Sequence, residues 1–449
     1  MESRWCVLLG GSVLFYLSCG IIPVVVLLIS SFITYSFAKE LDRNRNRIVF
    51  VLSLILALLP LVYTKSIVLF SEAEIESPLS TVSLIGVSFY TFSSVSYLVD
   101  VYQRRVEVQN NYGKLLLFLL FFPYVLQGPI ARYTHLESQL YTGHEFNADD
   151  NMIGLYMILF GLIKKLIIAE RIGLIVGTLF SNSSYYSTVY VVLSGVLYAF
   201  QLYMDFSGYV NIAEGVARLF SIRLQKNFLS PYFSRNISEF WRNWHATLGQ
   251  WLRDYIYIPL GGSKKGQVRK CINLLIVFLV SGIWHGTAWT FVAWGIYHGI
   301  LSVIHAIVGP KKKLSYKKLG IREESVVLSG LQMLHTTILV CIGWIFFRAA
   351  NLSQAVSMII GLFKFQFVGS NALRVLCRVS TLTEYEGKIM LPFILLVFFL
   401  EWLTFRKKVN VGLIAKIPVG CQLLGTVVMI ICLICFSVQG GGAFMYEVF

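Results

Sequence analysis

The stretch Cys271–Val308 contains no Asp, Glu, Lys or Arg. Basic clusters flank it, Lys264/Lys265/Arg269/Lys270 before and Lys311/Lys312/Lys313/Lys317/Lys318 after. A charge-free run of that length fits a hairpin of bilayer-crossing helices whose ends lie on the side that retains Lys and Arg. Similar apolar runs recur along the chain of 449 residues, which is 56% hydrophobic and 14% charged. Soluble domains carry about 25% charged residues. The pattern predicts an all-α, polytopic membrane protein and excludes a large soluble core. The alternating segments of a membrane β-barrel are missing.

The formal net charge of +15 reads as the excess of Lys and Arg that holds cytoplasmic loops in place. It suits anionic head groups or an anionic cytosolic substrate. Nucleic acid is not expected as a partner, because the basic residues are scattered over separated loops. Most of the eight cysteines lie in apolar runs, and no zinc spacing appears, so no metal is expected. Cys432 and Cys435 have redox spacing inside a spanning segment, where they read as small hydrophobes.

Charge alternation orders the crossings. Trp5–Leu17 and Ile21–Phe37 read as spanning helices joined by a tight Gly20/Pro23 turn rather than as a cleaved signal. Lys39–Arg47 is then cytoplasmic, Ile48–Phe70 leads out to Glu72, Glu74 and Glu76, and Val82–Val101 returns to Arg104 and Arg105. This places the N-terminus in the cytoplasm. Leu115–Ile130, broken by Pro123, Gly128 and Pro129, has the marks of a re-entrant element. Lys164, Lys165, Glu170 and Arg171 interrupt the apolar Met152–Phe180, which predicts that part of it lies at an interface. Tyr186–Phe206 is apolar again. Residues 207–262 form a cytoplasmic amphipathic segment, 271–308 the hairpin, and 440–449 an extracytoplasmic tail. Roughly ten to twelve crossings follow by window length, in one domain over 1–449. No internal repeat of the transporter kind is present.

His285 is the anomaly within the charge-free hairpin. It lies fifteen residues beyond Lys270, or roughly 22 Å along a helix, past the middle of a ~30 Å core. An ionisable group at that depth is a functional hypothesis by default. Gly282 and Gly286, four apart, offer the alternative of tight helix packing. The residues alone leave both readings open. His298 and His305, seven apart in the returning helix, read as structural.

Asn236–Gly262 carries the second histidine. Asn236 and Glu239 fit a capping box, and Trp241, His245, Leu248 and Leu252 recur at helical spacing. They predict an amphipathic helix lying in the cytoplasmic interface, with His245 facing the interior. Asp205, at the end of an apolar run, reads either as a helix-terminal anchor or as an acid that orients a His or pairs with an Arg.

Ordered motifs join these residues: Tyr203-Met-Asp205-Phe-Ser-Gly208-Tyr209, Asn227-Phe, Pro231-Tyr232, Glu239-Phe-Trp241-Arg242-x-Trp244-His245, Trp251-Leu-Arg253-Asp254-Tyr255-x-Tyr257-x-Pro259-Leu-Gly261-Gly262 and Trp284-His285-Gly286. Gly86-Val-Ser-Phe89-Tyr90 and Gln127-Gly128-Pro129-x-x-Arg132 match as well. The chain resembles the membrane-bound O-acyltransferases, within them the bacterial alginate O-acetyltransferase type, with the D-alanyl transfer protein of teichoic acid synthesis as a more distant cousin. It departs from the pattern in starting late, one apolar segment short, and in having Asn211 where an acid is expected.

The resemblance implies a ring of tilted helices with re-entrant and interfacial helices around a thin centre, in a bacterial cytoplasmic membrane. It implies His285 as the catalytic histidine and His245 as the second functional one, with Asp205, Arg242, Asn243 and Trp284 in support. The acyl donor would be acetyl-CoA, a substrate rather than a bound cofactor, reaching the centre from the cytosol past Lys264/Lys265. The acceptor would be a hydroxyl of a cell-envelope polysaccharide or peptidoglycan, reached directly, through a secreted acyltransferase or through a small membrane partner. Kept neutral by burial, His285 would act as general base, while His245 orients the thioester or donates to its carbonyl and Asp205 fixes a tautomer. Tyr446, in a glycine-rich tail, is a candidate acyl relay, against a plain packed or frayed terminus. D-alanyl transfer from a carrier protein is the competing enzymatic reading. A transporter without chemistry and a scaffold for a secreted acyltransferase are the competing readings of another class.

Overall fold

A computed structural model describes residues 4–71, 86–182, 187–320, 325–365, 384–407 and 411–438. Among these residues every regular element is helical. Nine of the helices are long and apolar enough to cross a membrane. The chain falls into two compact units, Met1–Ile158 with Val210–Lys226, and Leu159–Tyr209 with Asn227–Phe449.

In the first unit, α1 (Arg4–Leu17) packs on α5 (Tyr112–Leu120), while α2 (Ile21–Arg43), α3 (Arg47–Ser71) and α4 (Val87–Tyr102) pack on one another. At 14 residues α1 covers the expected Trp5–Leu17, but its length of roughly 21 Å falls short of a ~30 Å hydrocarbon core. The break in Leu115–Ile130 falls where its proline requires: α5 stops, and Pro123 enters the first turn of α6 (Phe122–Val125). Gly86 begins α4 at φ 81°, where a Cβ would lie 2.6 Å from the Val125 carbonyl oxygen. The sequence continues through α7 (Tyr133–Tyr141) to α8 (Ala148–Leu162), whose first-turn Asp150 accepts hydrogen bonds of 2.9 Å from both Arg218 and Arg223. On α3, Ile48, Val51, Leu52, Ile55, Leu59 and Val62 are exposed. An apolar stripe of that kind is suited to lipid and not to water.

In the second unit, α8 runs on through a π-helical stretch, Ile163–Ala169, into α9 (Glu170–Ser181). Next comes α10 (Thr188–Leu219). The amphipathic character expected from Ser207 therefore begins inside a helix that continues to Leu219, and Asp205 lies in that helix rather than at its end. The charged interruption at Lys164, Lys165 and Arg171 is buried inside the protein.

The segment after Asn236 is not one helix. Asn236 Oδ1 accepts the Glu239 amide at 2.9 Å, and Glu239 Oε2 accepts the Arg235 amide at 2.8 Å. The expected capping box is thus realised with its return bond displaced by one residue. α11 (Ile237–Asn243) then stops, His245 adopts φ 44°, and α12 (Ala246–Leu252) restarts before a π-helical turn, Arg253–Tyr257. Trp244 and Trp251 are buried in the protein.

The charge-free hairpin forms as α13 (Gly266–His285) and α14 (Trp289–Lys318). Its glycines let the two backbones touch: a Cβ on Gly295 would stand 2.5 Å from the Phe278 carbonyl oxygen and 3.4 Å from Gly282 Cα. The small-residue packing anticipated at Gly282 is therefore present, and it coexists with a buried His285 at the helix end. α15 (Val326–Arg348), α16 (Leu352–Gly361), α17 (Glu384–Phe405) and α18 (Val419–Phe436) complete the unit.

Candidate active site

The left-handed corner between α11 and α12 places His245. Non-glycine residues with positive φ are uncommon and cluster where surrounding structure enforces them. Here the enforcement comes from Asn227. Its carbonyl oxygen accepts the Ala246 amide at 2.9 Å, and its side-chain Oδ1 accepts the Thr247 hydroxyl at 2.8 Å and amide at 3.2 Å. The same Oδ1 lies 2.9 Å from His245 Nδ1. The ring is 3% exposed and packs edge-on against Phe206 at 4.9 Å between centroids. Burial lowers its pKa to about 3.

His285 is the last residue of α13, where Gly286 ends the helix beneath the Phe291 ring. Its imidazole is enclosed by Trp284 at 4.6 Å, Phe347 at 5.0 Å and Trp294 at 5.2 Å. The Trp284 indole is also 6.3 Å from His245. One tryptophan thus borders both histidines, which the chain places forty residues apart. A third histidine, His298, is fully buried against Trp241 and Trp294.

Asp205 lies in a network of buried charges. Its Oδ1 accepts a hydrogen bond of 2.7 Å from Lys165 Nζ, which is also 2.7 Å from Glu170. Lys164 Nζ donates to Ser207 Oγ at 3.2 Å and lies 3.9 Å from Glu401. Glu401 in turn accepts from the Tyr203 hydroxyl at 2.7 Å and the Ser230 hydroxyl at 2.8 Å. The π-helical stretch makes this possible. In an α-helix neighbouring residues point about 100° apart; the wider turn brings both Lys164 and Lys165 under cover. Gly208 closes the arrangement, since a Cβ there would be 2.9 Å from the Gly161 carbonyl oxygen and 3.2 Å from Lys164 Cβ. The string Asp205-Phe-Ser207-Gly208 is therefore a docking surface for two buried lysines. Asp205 is thus engaged in ion pairing with Lys165, and Asn227 occupies the position at His245 Nδ1.

Of the remaining expected residues, Asn243 donates to Ser234 Oγ at 3.0 Å and Arg242 is exposed. Neither has a contact with the histidine rings among those described. Tyr446 lies outside the described residues. Asn227, Glu401 and the lysine pair were not singled out as site residues from sequence. The lysines carried a readable signal, because charges in an apolar run demand partners. No group of metal-ligating side chains occurs among the described residues.

The sequence profile of the membrane-bound O-acyltransferase family matches residues 91–310, which hold His245, His285, Asn227 and Asp205. Among curated relatives, the probable alginate O-acetylase of Pseudomonas aeruginosa is 35% identical over 316 residues, 70% of this chain and 58% of that protein. The peptidoglycan O-acetyltransferase of Helicobacter pylori is 34% identical over 66% of this chain and 58% of its own length. The teichoic acid D-alanyltransferase of Bacillus subtilis is 29% identical over 72% of this chain and 82% of its own length. The chain spans about three fifths of the length of the alginate-type relatives it matches, between 58% and 62% for the first of them. Residues 91–310 form a membrane-bound O-acyltransferase domain, and the chain is a multi-pass membrane protein.

Proposed function

We propose that this chain is an O-acyltransferase that moves an acetyl group from acetyl-CoA onto a hydroxyl of a cell-envelope polysaccharide or of peptidoglycan. The observation that carries the reading is the pair of buried histidines bordered by one indole, in a family whose relatives include an alginate O-acetylase and a peptidoglycan O-acetyltransferase.

His285 is the general base in this reading. It takes the proton of the acceptor hydroxyl as that oxygen bonds to the thioester carbonyl carbon. The carbon–sulfur bond then breaks, and the proton returns to the departing thiolate, giving an ester and free coenzyme A. Trp284, Trp294 and Phe347 keep bulk water from the imidazole. His245 is the second functional histidine. The lysine–carboxylate network around Asp205 holds α10 against the π-helical stretch and supports the site from behind.

The membrane is a bacterial cytoplasmic one, with the N-terminus and the loops rich in Lys and Arg inside and the C-terminus outside. The donor enters from the cytosolic side near Lys264 and Lys265, both exposed. Tyr446 or a secreted or small membrane partner relays the acyl group when the polymer does not reach the centre.

Purified protein in lipid vesicles, given acetyl-CoA labelled in the acetyl group, tests the reading. Labelled ester on an added glycan or slow release of labelled acetate is expected. No turnover of acetyl-CoA, with turnover of a D-alanyl carrier-protein thioester instead, would replace the donor; no turnover of either would remove the enzymatic reading.

A further inference from the structure

Asn227 is fully buried and bonded to the His245 corner by backbone and side chain together. Its amide orientation follows from chemistry. The Thr247 amide, 3.2 Å away, can only donate, so the atom facing it must be Oδ1. Turning the amide over would set two donors against each other. With Oδ1 in that place, the 2.9 Å contact to His245 Nδ1 is a hydrogen bond only if Nδ1 carries the proton. In a neutral ring Nε2 then has a lone pair and no hydrogen. Nε2 is buried and has no hydrogen-bond partner among the described residues.

We propose that Asn227 is a positioning residue that locks His245 as its Nδ1–H tautomer, so that Nε2 receives a hydrogen bond from an N–H or O–H of the bound substrates. A role for His245 as a donor to the thioester carbonyl is thereby excluded, because Nε2 has no proton to give until it has taken one. The contacts described for the ring are with Phe206, Trp284 and Asn227, none of them charged. The functional consequence rests on the acyltransferase reading; the tautomer does not.

Two measurements separate them. In wild-type protein labelled with 15N-histidine in lipid nanodiscs near pH 7.5, the His245 signal, identified by its loss in His245→Gln, should show a protonated Nδ1 and an unprotonated Nε2. An Nε2–H signal would overturn the proposal whatever the activity. The second measurement is the pH profile of acetyl-CoA turnover by Asn227→Asp. A carboxylate keeps the acceptor but stabilises the imidazolium, so the acidic limb should move to higher pH by at least one unit while turnover at high pH stays within about tenfold of wild type. A uniform loss at every pH would show a merely structural Asn227 and overturn the positioning role. Absence of turnover in wild type, with the tautomer as expected, would count against the acyltransferase reading alone.

Discussion

Lys165 and Asp205 form a buried ion pair of 2.7 Å between the π-helical stretch and the middle of α10. Its lysine is shared with Glu170 at the same distance. The three charges make an asymmetric unit, and the asymmetry orders the effects of removing each.

Lys165→Met removes this cation from the buried Asp205 and the partly buried Glu170. Removing one partner of a buried pair typically costs about 3–5 kcal/mol, so this variant should unfold at clearly lower temperature in detergent. Asp205→Asn keeps an oxygen acceptor, and Lys165 keeps Glu170. Its loss of stability should be the smaller of the two. Thermal unfolding of both variants side by side checks the order, and equal loss would remove the shared-lysine account.

Glycines 208 and 177 should respond with opposite sign to alanine. A methyl on Gly208 meets the Gly161 carbonyl oxygen at 2.9 Å, whereas nothing stands within 4 Å of one on Gly177. Overpacking costs about 1–3 kcal/mol, while Gly to Ala in an open helical site gains about 0.5–1 kcal/mol. Gly208→Ala should lower the melting temperature and Gly177→Ala should hold or raise it. A harmless Gly208→Ala would mean that α10 does not lie as close to the lysine stretch as described.

The buried His245 should leave a mark on acid stability. Its pKa is lowered to about 3 in the folded protein, against about 6.5 in the unfolded chain. Between those values the unfolded chain binds the proton and the folded one resists it. The contribution is fully present above pH ~6.5 and is lost as the pH falls toward 3, at up to about 1.4 kcal/mol per unit. Chemical unfolding of wild type and His245→Gln at pH 7, 6, 5 and 4 should therefore converge from below pH 6.5, the variant having the flatter dependence. Parallel curves would contradict the neutral, buried histidine.

Legibility followed the length of the signal. The hairpin of α13 and α14, the break at Pro123 and the cap at Asn236 each rest on local chemistry, a charge-free run, a missing amide or a side-chain acceptor, and each was readable. The corner at His245 was not, because helical spacing of Trp241, His245, Leu248 and Leu252 runs unbroken through it. What bends the chain there is Asn227, eighteen residues away and tied by long-range hydrogen bonds. Asp205 was visible as a residue but its lysine partner was not, since that depends on a π-helical stretch that turns two adjacent lysines inward, and no sequence period announces it. Glu401 reaches Tyr203 and Lys164 from α17, about two hundred residues further along the chain. Contacts of such separation are set by packing of whole helices.

The central claim is that His285 removes the acceptor proton. It is tested by acetyl transfer from labelled acetyl-CoA in lipid vesicles, with wild type and His285→Gln compared at equal folded amounts verified by thermal unfolding. Loss of general-base catalysis predicts a fall of about 10²–10⁴-fold in turnover with the melting temperature little changed. A folded His285→Gln protein that transfers acetyl at the wild-type rate would contradict the claim.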